Sequence, residues 1–108
     1  MTYNIKITPD AMEDIADMSK RFGKDFNQQL LKTLLNLSRD LTHPGLQVHS
    51  LQGWPEWKEC YVNKAHRVVF KLMGNTIVIA WCGDHDDLDR QAFGTGVQNA
   101  DSGVIQDT

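Results

Sequence analysis

Tyr3, Ile5 and Ile7 alternate with polar residues, and this two-residue period predicts a short β-strand. Thr8 is a good N-cap, Pro9 is the favoured first helical residue, and the acids Asp10, Glu13 and Asp14 suit a positive helix start. Met12, Ile15 and Ala16 then recur at helical spacing until Gly23, which is expected to stop the helix after Phe22. A second helix is predicted over residues 24–41. Its apolar stripe is Phe26, Leu30, Leu34, Leu37 and Leu41, widened by Leu31 and Leu35. The run Thr42-His43-Pro44-Gly45 ends it.

From Leu46 onward the period returns to two. Strands are predicted at Leu46/Val48, Trp57–Val62, Arg67–Met73 and Thr76–Cys82. Gly74-Asn75 reads as a two-residue hairpin turn, Asn63–His66 as a tight connection, and Gly53-Trp54-Pro55 as a break between the first two strands. The expected fold class is therefore α+β: an N-terminal strand, a two-helix hairpin, and a four-stranded antiparallel sheet with both helices packed on one face. Strand parity puts Val68, Phe70 and Leu72 on one face and Arg67, Val69 and Lys71 on the other. Likewise Leu46 and Val48 oppose Gln47 and His49. If the apolar faces meet the helices, Arg67 and His49 emerge together on the open face.

At 108 residues the chain has the size of one domain. Residues 1–90 are read as that domain. Residues 91–108 are read as a polar C-terminal tail, flexible or docked outside the core, with Phe93, Val97, Val104 and Ile105 as its few apolar anchors. No apolar run approaches the ~20 residues that cross a bilayer, and the N-terminus lacks a secretory h-region, so a cytoplasmic protein without a membrane partner is expected. The two cysteines, Cys60 and Cys82, are expected to be reduced and buried.

The net charge of −3 argues at first against nucleic acid, but its distribution changes that. Residues 1–42 are neutral, residues 43–82 carry +2 and three histidines, and residues 83–108 carry −5. The predicted sheet is locally basic.

That sheet carries the candidate chemistry. Imidazole moves protons near neutral pH, and guanidinium holds phosphate through paired hydrogen bonds. RNA cleavage without a metal needs a base for the 2′-hydroxyl, a cation for the phosphorane and an acid for the 5′-oxygen. His49 is the candidate base, Arg67 the phosphate clamp and His85 the general acid, its proton held by Asp84, Asp86 and Asp87. Bland readings stand beside each: a loop-capping histidine, a strand arginine paired to Glu59 or Asp84, and a surface histidine in an acidic loop. Lys58, Lys64 and Lys71 are candidate RNA-backbone contacts, against a default of solvated lysines. Trp54 is the better candidate for base stacking. Trp81 is expected in the core, on the face of Ile77 and Ile79, and His66 is expected to be structural, donating to its turn. Metal is not expected, because Asp84, Asp86, Asp87 and Asp89 lack the glycine and terminal glutamate of a calcium loop.

Three runs carry a family resemblance: Pro44 through His49, Leu51 and Gly53; His66-Arg67-Val68-Val69-Phe70; and Gly83-Asp84-His85. In order and separation they resemble the RelE/ParE toxin superfamily, in its RNA-cleaving YoeB/YafQ-like branch. The glutamate that YoeB-like enzymes place before the second strand falls at Gly45 here, which leaves His49 as the base. The resemblance implies the toxin of a bacterial toxin–antitoxin pair, a cofactor-free endoribonuclease cutting mRNA on the ribosome. It implies a cognate antitoxin as partner. The alternative is a non-catalytic module of the same fold that binds a protein target. Because acids near the cleft would repel phosphate, Asp101–Thr108 is expected to lie away from Arg67 and His49, or to be mobile.

Overall fold

A computed structural model of the chain describes residues 2–88, and the expected tail lies outside the described residues. Strand β1 (Asn4–Ile7) leads into helix α1 (Pro9–Arg39). A one-turn 3₁₀ segment (Pro44–Leu46) follows, then β2 (His49–Leu51), β3 (Trp54–Tyr61), β4 (His66–Met73), β5 (Thr76–Asp84) and the short α2 (His85–Leu88).

Thr8 caps α1 as its chemistry requires, its Oγ1 accepting the Ala11 N–H at 3.2 Å. Within α1 the two expected helical stretches are separated by a kink at Gly23, whose non-helical backbone (φ 71°, ψ −148°) an L side chain would strain. The helix ends at Arg39, two residues before the expected Leu41, because Asp40 turns extended and its carboxylate accepts from Thr42 N and Oγ1 at 2.9 and 2.6 Å. Phe26, Leu30 and Leu37 are buried as the stripe predicts. Leu31 and Leu35, expected to widen it, are exposed on the outer face of α1.

The sheet has five strands in the order β1-β5-β4-β3-β2. Strands β2 to β5 are antiparallel, as the hairpin signals require. The N-terminal strand joins this same sheet as its edge, parallel to β5, with Asn4 opposite Thr76 and Ile7 opposite Ile79. Alternation alone does not reveal a parallel pairing with a strand some 70 residues away. Leu46 does not open a strand either. It closes the 3₁₀ turn, and Gln47 adopts a left-handed conformation (φ 49°) that delays β2 to His49.

Helix α1 packs on one sheet face. Ala11, Met18, Phe26, Leu30 and Leu37 form a core there with Cys60, Val68, Phe70, Ile77, Ile79 and Cys82. Each such large apolar side chain contributes ~1.5–3 kcal/mol through burial. Both cysteines are buried and free, and burial pushes each thiol up to about 12.

β1 ends opposite Ile79, so the edge of β5 beyond it is met by α1 instead. Asp14 Oδ2 accepts the Cys82 N–H at 3.2 Å. Burial raises the Asp14 carboxyl from an ordinary 3.8 to about 6, helped by the charges of Asp10, Glu13 and Asp17 and opposed by the Cys82 bond. The folded chain therefore binds more protons than the unfolded chain between pH ~4 and ~6. Stability should fall as pH rises through that window, with the full cost present above ~6. A shift of this size would correspond to ~3 kcal/mol if fully desolvated, and to about 1 kcal/mol for a half-exposed group. Asp14→Asn should flatten the dependence and raise the denaturant midpoint at pH 7.5 relative to the parent. An equal loss at pH 4.5 and 7.5 would show that the Cys82 bond outweighs desolvation.

Candidate active site

The second face of the sheet carries its own apolar patch. Trp57, Val69, Val78 and Ala80 are buried there, flanked by Leu51, Trp54 and Trp81. Trp81 is thus not on the face of Ile77 and Ile79. Register shifts between Val69 and Phe70, leaving Ala80 as an extra residue in β5, and this bulge inverts parity beyond it. Trp81 stands opposite Val69 and Cys82 opposite Val68. The indole then lies over Gly83, where a Cβ would come within 2.7 Å of Trp81 Cζ2. Glycine is required at 83 for this packing.

Beside the patch, the pairing His49–Glu59–Val69–Trp81 runs across β2 to β5. His49 is exposed, and its Nε2 lies 2.5 Å from Glu59 Oε1. Its Nδ1 lies 2.8 Å from the Gln47 carbonyl oxygen, which can only accept. The imidazole thus sits between two oxygen atoms, a carboxylate on one side and a main-chain carbonyl on the other. Glu59 is only 5% exposed, and its Oε2 is buried without a partner. Sequence reasoning treated Glu59 only as a possible partner of Arg67. The signal that could have found its role is its parity with Trp57 and Tyr61 on the face that carries His49.

Two residue pairs further along, on the same face, Tyr61 opposes Arg67 and Arg67 opposes Gly83. Arg67 is not the exposed strand arginine of the bland reading. It is 3% exposed, with its guanidinium carbon 3.5 Å from the Tyr61 ring centroid. One terminal nitrogen donates to the carbonyls of Asn63, Lys64 and His66 at 2.7, 3.0 and 3.1 Å, tying down the β3–β4 loop. Its Nε–H is buried without a partner.

His85 is the first residue of α2, just past β5. Its backbone N–H donates to the Ala65 carbonyl at 2.7 Å, and its Nδ1 is buried without a partner. Asp84 accepts the Asp86 N–H at 3.1 Å. The strand spacing puts ~14 Å between β2 and β5, so the two imidazoles flank Arg67 rather than touch each other.

The remaining candidates divide. Lys71 shares the Arg67 face, 3.5 Å from Glu56 and over the Trp57 ring. Lys64 is exposed in the β3–β4 loop. Lys58 points to the opposite face, paired with Phe70 and donating to Ser50 Oγ at 3.1 Å. Trp54 opens β3 and packs against the second patch instead of standing in a loop. His66 is structural, its ring packed on Phe22 and Phe26, but its Nδ1 accepts from Asn63 Nδ2 at 3.0 Å instead of donating, and burial lowers its pKa. Among the described residues no three His, Cys, Asp or Glu side chains group as a metal site, and no helix is long and apolar enough to cross a membrane.

No protein-family model matches the chain. No curated protein matches it in sequence. Solved structures do match in fold. A metal-bound toxin from Helicobacter pylori is 21% identical with a TM-score of 0.68, over 80% of this chain and 98% of that one. The YoeB dimer of Staphylococcus aureus is 23% identical with a TM-score of 0.66, over 79% and 99%. The toxin–antitoxin complex DinJ-YafQ of E. coli is 21% identical with a TM-score of 0.64, over 83% and 100%. The chain therefore has the RelE-type toxin fold that the sequence resemblance implied.

Proposed function

We propose that the chain is the toxin of a toxin–antitoxin pair and acts as a metal-independent endoribonuclease on mRNA at the ribosome. The observation that carries this reading is the second sheet face, which gathers a His49–Glu59 pair and Arg67 with His85 at its end. In this scheme the pair takes the proton of a ribose 2′-hydroxyl, and Glu59 Oε2 is the acceptor without a partner. The 2′-oxygen attacks the adjacent phosphorus and the bond to the 5′-oxygen breaks. The Nε–H of Arg67 meets the charge on the phosphorane, and His85 returns a proton to the leaving 5′-oxygen. The products are a 2′,3′-cyclic phosphate and a 5′-hydroxyl. Lys64, Lys71 and Trp54 are the proposed contacts for the flanking nucleotides. The DinJ-YafQ neighbour supports a protein antitoxin as partner.

A second reading is favoured by the burial of Arg67 and its bonds to the turn: a non-catalytic module of this fold that acts by binding a protein. Expression of the chain alone in bacteria separates the two. Rapid translation arrest with cut mRNA supports the enzyme. Growth arrest with intact mRNA supports the binding module.

A further inference from the structure

The β3–β4 loop reaches both Arg67 and His85, and one side chain organises that loop. Asn63 Oδ1 accepts the backbone N–H groups of Ala65 and His66, each at 2.9 Å. Its Nδ2 donates to Gln29 Oε1 on α1 at 2.8 Å and to His66 Nδ1 at 3.0 Å. An amide side chain has two N–H groups and two lone pairs on its oxygen, and here all four are engaged. Backbone N–H groups can only donate, so the amide has a single orientation in this loop.

The two N–H groups that Asn63 holds belong to consecutive peptide units. The Lys64–Ala65 unit gives its N–H to Asn63 and its carbonyl to Arg67, whose terminal nitrogen lies 3.0 Å from Lys64 O. The Ala65–His66 unit gives its N–H to Asn63 and its carbonyl to the His85 N–H at 2.7 Å. A trans peptide unit is planar, with N–H and C=O on opposite sides, and no peptide bond among the described residues is cis. Gripping both N–H groups with one oxygen therefore turns the two carbonyls away from Asn63, one toward Arg67 and the other toward His85. Hydrogen bonds linked in this way also polarise one another.

We propose that Asn63 is a positioning residue: through these two peptide units it sets where Arg67, from β4, and His85, from the end of β5, stand relative to each other. It does this without touching RNA. Its consequence for catalysis rests on the ribonuclease reading, in which the clamp and the general acid must meet the same phosphate. A displacement of about 1 Å between such groups can cost about 10²-fold in rate. The positioning itself is a property of the folded loop and is read separately.

The test compares the full chain with Asn63→Ala and Asn63→Asp. Alanine removes the shared acceptor, whereas aspartate keeps it and gives up the two donations of Nδ2. In the first arm, amide hydrogen exchange is followed by NMR. Asn63→Ala should speed exchange of the His85 amide by about tenfold, the worth of one hydrogen bond, while amides paired between β4 and β5 keep the parent's rates. Asn63→Asp should restore most of the His85 protection. An unchanged His85 amide in Asn63→Ala overturns the proposal. So does a loss shared equally by the sheet amides, which marks general destabilisation, or an aspartate variant no better than alanine. In the second arm, Asn63→Ala should lower kcat for RNA cleavage by about 10²-fold with KM unchanged, and Asn63→Asp should recover most of it. Full cleavage by Asn63→Ala overturns the catalytic consequence. A parent chain that cuts no RNA sinks the ribonuclease reading instead, and the exchange arm still decides whether Asn63 positions the two groups.

Discussion

RNA cleavage by the His85→Ala chain is expected to fall by about 10²–10⁴-fold, the usual cost of losing one acid–base group, while the fold is retained. The structure makes this a clean substitution. The bond that His85 makes to its surroundings is through its backbone, to Ala65, and alanine keeps it. Among the described residues the ring Nδ1 has no hydrogen-bond partner, so its removal takes away one buried polar atom without breaking a bond there. The thermal midpoint should stay within a few degrees of the parent. Cleavage rates on a ribosome-bound message, read beside that midpoint, check it. Unchanged cleavage by a folded variant would place the general acid elsewhere.

Arg67→Ala is expected to do two things at once. It should abolish cleavage, and it should also destabilise the protein. One guanidinium nitrogen holds three carbonyls of the β3–β4 loop, and the group stacks on Tyr61. Leaving such carbonyls without a donor costs ~1–3 kcal/mol, and the lost ring contact adds ~0.5–2. A net loss of about 2–4 kcal/mol follows, enough to blur an activity measurement made on the alanine variant alone. Arg67→Lys keeps the charge without the planar fork. It should recover part of the stability and little of the cleavage. A denaturant midpoint for Arg67→Ala equal to the parent's would show that the loop does not depend on this side chain. Full cleavage by Arg67→Lys would show that a point charge suffices at the phosphate.

Local rules made much of this fold legible. The Thr8-Pro9 start, the Gly74-Asn75 hairpin and the period-two strands after His49 are set by neighbours in sequence, and the structure has them. Gly23 was readable as a break, but whether the chain turns back or continues after it depends on what the second half packs against. The side on which β1 adds is a long-range choice that alternation cannot encode. Trp81 shows the limit of parity most directly. One bulged residue, Ala80, moves it to the opposite face, and nothing in the run Thr76–Cys82 marks the bulge. The candidate site was legible in its residue types and their shared face. The pairing of His49 with Glu59 was not, because the two are ten residues apart and meet only when β2 pairs with β3.

The most direct measurement is the chemistry of the cut ends on an mRNA in a translating extract supplied with the purified full-length chain. The account predicts upstream fragments ending in 2′,3′-cyclic phosphate and downstream fragments beginning with a 5′-hydroxyl, both lost with His85→Ala and with a 2′-deoxy nucleotide at the cut position. Translation arrest with intact message, or fragments ending in a 3′-hydroxyl, would contradict it.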